Sequence, residues 1–83
     1  MLEELRKEID RCDRNIVSML KERMSISKKI GEYKKKNGIA VHHPMREKEL
    51  LERLCELASE DLPAESIELI YREIISASRK VQT

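Results

Sequence analysis

Eighty-three residues make one domain, and a chain of that length hides only about 60% of its unfolded surface, so help from a partner chain is expected. Charged side chains form 40% of the sequence, 17 basic against 16 acidic, and this balance, with two Tyr and no Phe or Trp, argues against a nucleic-acid binder. No run approaches the roughly 18 apolar residues of a membrane span, and the opening MLEELRKEID lacks the apolar stretch of a secretion signal, which points to a soluble cytoplasmic protein.

Helical periodicity runs through the chain and no strand-like alternation competes with it, so the fold class is all-α, with three helices. The first is expected over 2–36, free of proline and ended by Asn37-Gly38 behind the cations Lys34, Lys35 and Lys36. At 1.5 Å per residue such a helix spans roughly 50 Å, whereas a compact domain of this size has a radius of gyration near 12 Å, so much of it must project beyond its own globule. Its stripe stays apolar along most of that length, and a second copy is the simplest cover: a homodimer with antiparallel long helices. After the connector Ile39 to Pro44, the second helix is expected over 44–59, with Leu50, Leu51, Leu54 and Leu57 on one face. The third is expected over 63–82, carrying Ile67, Ile70, Tyr71, Ile74 and Ile75.

Polar groups interrupt these apolar faces. On the first helix Arg23 and Lys34 lie nearly on one line, and Leu5, Ile9, Cys12, Ile16, Met19 and Leu20 fall within roughly 60° of it. Glu47 is about 20° from the middle of the second helix's apolar face, and His43 projects along that face when the helix is extended backwards. On the third, Ser78 lies about 40° and Gln82 about 80° from Ile74. Taken singly these have structural readings: Arg23 paired with Glu47 as a buried ion pair, Lys34 reaching outward from a helix end. Taken together they leave positive charge without a counter-ion, because one Glu cannot neutralise both cations and a buried unpaired charge costs several kcal/mol. A small anionic ligand between the helices supplies what is missing.

Other chemistries find little support. His42-His43 has no third ligand at a recognisable spacing, so no metal is expected. Cys12 and Cys55 form no CxxC and read as reduced thiols. Ser25, Ser27 and Ser78 lack the His and Asp of a hydrolase, and the Gly38 turn is not a phosphate loop.

The patterns "LRKEID.CD..I..ML.ERM.I...IG.YK", "REKELLERL" and "II.AS...Q" together span Leu5 to Gln82. In them the sequence resembles the all-helical class of chorismate mutase, over almost the whole chain. The resemblance implies an intertwined homodimer whose two sites are each completed by the partner's long helix. It matches Arg6 to the arginine that reaches into the partner's site, Arg23 to the one that grips a substrate carboxylate, and Lys34 to the lysine on the ether oxygen and a carboxylate. It matches Arg46 to a further cation, Glu47 to the acceptor of the ring hydroxyl, Ser78 to a serine near a carboxylate and Gln82 to a glutamine on the ether oxygen. No cofactor is implied, since the family reaction, chorismate to prephenate, is a pericyclic rearrangement that transfers no proton.

Two positions depart from the family pattern. His43 stands where an acidic or amide residue is usual near the substrate hydroxyl, and Arg79 where an apolar wall residue is common; at about 140° from Ile74, Arg79 is expected to point to solvent. With nothing after Thr83, the chain reads as monofunctional. The rival readings are an isochorismate pyruvate-lyase-like enzyme using a similar cationic pocket, and a catalytically silent helical dimer or interaction module.

Overall fold

The computed structural model describes residues 1–83 and contains three helices: α1 (Leu2–Lys36), α2 (Pro44–Cys55) and α3 (Ala64–Gln82). α1 holds 35 residues without a break. Its end is chemically specified: Ile39 N–H donates to the Lys34 carbonyl at 2.8 Å, while Gly38 takes φ +64, a left-handed conformation that glycine adopts without strain. Acidic Glu3 and Glu4 in the first turn and Lys34, Lys35 and Lys36 in the last suit the helix dipole.

α2 starts as Pro44 suggests, with proline in the first turn where its missing N–H costs nothing. His43 is the N-cap: its Nδ1 accepts from the Arg46 N–H at 3.0 Å, so the backbone at His43 leaves the helix instead of continuing it backwards. The other end differs from the sequence-based expectation of Ser59, because α2 stops at Cys55. Leu57, counted there among the apolar face, is 75% exposed. Without burial to hold another turn, the chain tightens through Leu57 N–H to Leu54 O (2.9 Å) and then reverses, Ser59 Oγ accepting from Leu62 N–H at 3.2 Å.

α3 packs against both other helices, which do not pack on each other. It runs parallel to α1, in a register fixed by the pairs Ser27–Ser78 and Gly31–Gln82. Gly31 is what permits the second approach: a Cβ there would come within 2.7 Å of Gln82 Cα and 2.9 Å of its carbonyl oxygen. These are backbone atoms, which cannot step aside as a flexible side-chain end can.

The resulting body is thin, 54 × 23 × 14 Å with a radius of gyration of 15.6 Å. Ile67 and Ile75 are its only buried hydrophobic side chains, while Leu5, Ile9, Ile16 and Met19 along α1 are exposed. No helix is long and apolar enough to cross a membrane.

Candidate active site

Because α1 and α2 each lean on α3 and not on one another, a cleft of about 530 Å3 remains between them. It receives Arg23 and Lys34 from α1, the N-cap His43 and then Arg46 and Glu47 from α2, and Ser78 and Gln82 from α3. Arg6 is not among the lining residues. It stands 17 positions before Arg23 on the same straight helix, roughly 25 Å away, too far to reach the cleft of its own chain.

Arg23 is half-buried, and its Nη1 donates to Ser78 Oγ. That hydroxyl also accepts from Ser27 Oγ at 3.2 Å and lies 3.6 Å from Met24 Sδ, so its two lone pairs and one proton are all engaged. Ser27 and Ser78 are both buried. The guanidinium is thereby held at one nitrogen by a neutral partner, and its other donors remain available.

Lys34 is positioned in a similar way. Its Nζ donates to the Val41 carbonyl at 3.0 Å and to Gln82 Oε1 at 3.2 Å. An ammonium has three N–H groups, so one is left over. The same contact orients Gln82: with Oε1 turned to Lys34, the amide nitrogen is free to donate elsewhere. Neither Arg23 nor Lys34 is within 4 Å of a carboxylate, so the ion pair between Arg23 and Glu47 considered from sequence does not form.

Glu47 instead pairs with Arg79, whose Nη1 lies 2.8 Å from Oε1 and 2.9 Å from Oε2. This corrects the expectation that Arg79 faces solvent. Its wheel angle takes it off the face of α3 that meets α1, but α2 lies against that flank, and Arg79 lines the cleft. His42 Nε2 is 3.8 Å from the second Glu47 oxygen.

The site is therefore a half-open cleft in which two cations are held by uncharged groups, and its half-buried acid is occupied by a third. Such an arrangement suits a compact anion with more than one carboxylate. Residues 5–83 match the family described as chorismate mutase type II. The chain belongs to that family.

Relatives agree with the family match. The chain is 34% identical over 82 residues to a chorismate mutase of Methanocaldococcus jannaschii, covering 98% of this chain and 83% of that protein. It is 48% identical over 80 residues to a bifunctional chorismate mutase/prephenate dehydratase of Aquifex aeolicus, covering 92% of this chain but 22% of that protein. The chain thus spans about a fifth of such bifunctional relatives. Among solved structures, the chorismate mutase of Helicobacter pylori in complex with prephenate superposes with a TM-score of 0.89 at 36% identity, over 98% of this chain and 88% of that one.

Sequence reasoning passed over Ser27, Gly31, Val41 and the true direction of Arg79. Ser27 and Gly31 carried a usable signal, since they follow Arg23 by four and eight positions and share its face. The Val41 carbonyl carried none, because any residue at that point of the connector presents one.

Proposed function

We propose that the cleft catalyses the rearrangement of chorismate to prephenate. The observation that carries this reading is that Arg23 and Lys34 face the cavity with neutral hydrogen-bond partners, neither of them paired with a carboxylate of the chain's own. A dianionic guest completes their charge balance, where an internal acid would have cancelled it.

Chorismate must fold until its two reacting carbons meet, while a carbon–oxygen bond breaks and a carbon–carbon bond forms. No proton moves, so the reaction asks for orientation and charge stabilisation. Arg23, with Ser78 fixing one nitrogen, grips one carboxylate, and Arg46 adds a further positive charge at the mouth. Holding the folded conformer removes entropy from the barrier, an effect worth several kcal/mol. Lys34 and Gln82 address the ether oxygen, which gains negative charge as its bond lengthens. The spare ammonium proton and the free amide N–H of Gln82 are both donors, as that charge requires, and both are fixed before the reaction begins. Glu47 accepts from the ring hydroxyl, with His43 near it at the start of α2.

A homodimer completes the site. The exposed apolar face of α1 is covered by the second copy's α1, and Arg6 of the partner subunit enters the cleft that this chain's own Arg6 cannot reach. The decisive assay incubates the purified protein separately with chorismate and isochorismate and identifies the products. Prephenate from chorismate is the expected result; pyruvate from isochorismate alone, or no product from either, overturns the reading.

A further inference from the structure

Arg79 and Glu47 form the tightest charge pair in the chain, joining α3 to α2 across 32 positions. Neither is fully exposed: their side chains retain 37% and 24% of their accessible surface. A carboxylate offers about four acceptor sites, two on each oxygen. Arg79 approaches both oxygens through the single atom Nη1, so each oxygen keeps a lone pair for another donor. The Nε and Nη2 donors of Arg79 have no acceptor within the chain.

What the pair prevents is as informative as what it makes. Glu47, Arg23 and Lys34 line one cleft, in surroundings partly removed from water where opposite charges attract strongly. A Glu47 without its own cation would be drawn to Lys34 or Arg23, satisfy it, and compete with any anionic guest. Neither contact exists; the acid is paired with Arg79 of α3 instead.

We infer that Arg79 is a positioning residue that sets substrate affinity: it reserves Glu47 as an acceptor for the guest's hydroxyl and keeps that acid off Arg23 and Lys34. This rests on the chorismate reading above. Arg79 spans both oxygens from one nitrogen, so it holds the acid by its permanent charge and two hydrogen bonds, and a lysine keeps the charge but not the same pair of bonds.

The test is a double-mutant cycle on kcat and KM for chorismate, using wild type, Arg79→Leu, Glu47→Gln and the double variant, with Arg79→Lys and Arg79→Gln alongside and thermal unfolding of each. Arg79→Leu is expected to raise KM about tenfold with a smaller loss of kcat, Arg79→Lys to recover part of it, and Arg79→Leu to change KM less than twofold when Glu47 is already Gln. An equal loss in both Glu47 backgrounds, accompanied by a lower unfolding temperature, assigns Arg79 a merely structural role and overturns the inference. A KM within twofold of wild type for Arg79→Leu also overturns it, and Arg79→Gln carries the same comparison should Arg79→Leu fail to fold. Wild type that forms no prephenate removes both this inference and the functional reading; wild type that forms it while the Arg79 variants match it removes the inference alone.

Discussion

The two halves of α1 obey the same helical periodicity and meet different fates. From about Leu20 onward the helix is matched by α3: Ser27 and Gly31 are buried, and Arg23 and Lys34 have partners. In the first half no residue is buried, and Leu5, Ile9, Ile16 and Met19 stand open. Because α3 starts 18 positions before Gln82, which sits beside Gly31, about a dozen residues of α1 overhang it altogether. Covering each exposed aliphatic side chain contributes roughly 1–3 kcal/mol, which a chain with two buried hydrophobic residues has reason to recover from a second copy. An apolar stripe therefore says that a surface must be covered, without saying by what.

The contrast breaks most sharply at Arg23. Arg23→Leu is expected to lower turnover of chorismate about a thousandfold or more, with helicity kept and thermal stability unchanged or raised, as circular dichroism would register. Severe unfolding would return Arg23 to the structural core. Lys34→Ala follows, with kcat falling by about 10² to 10³ and KM changing less, in steady-state assays; normal turnover would remove Lys34 from the chemistry.

Gly31→Ala probes the backbone contact that fixes Gln82. The added methyl must displace α3 at its C-terminal end, so kcat is expected to fall roughly tenfold to a hundredfold while far-ultraviolet dichroism stays native. Undiminished kcat would mean that Gln82 needs no such seat. Mixing Arg6→Ala with Arg23→Ala subunits then sets one half of α1 against the other. In the proposed dimer both lesions fall in the same site of a mixed pair, and about one working site per heterodimer should return. No recovery on mixing would argue that each cleft uses its own chain only. His43→Ala should matter least: losing the cap bond to the Arg46 N–H costs about 1 kcal/mol, visible as a small drop in unfolding temperature.

Much of the site was legible because its parts repeat at helical spacing. Arg23 and Lys34 occupy the stripe, and Ser27 and Gly31, lying between them, could have been added by the same count. Glu47 was visible as an acid on an apolar face, yet its partner was not, since Arg79 reads as solvent-facing when α3 is considered alone. The early end of α2 was hidden for a related reason. Leu57 continues the apolar pattern, but it is left exposed beyond the end of α2.

By itself the sequence determined the three helices, the C-terminal stop of the first, and the presence of uncompensated positive charge among apolar residues. Each of these depends on groups within a few positions of one another, where rotation per residue is fixed by the backbone. Tertiary structure alone decided the pairings: Ser78 with Arg23, Gln82 and the Val41 carbonyl with Lys34, Arg79 with Glu47. These partners depend on how helices lean and slide across one another, and a one-dimensional pattern does not encode that relative placement.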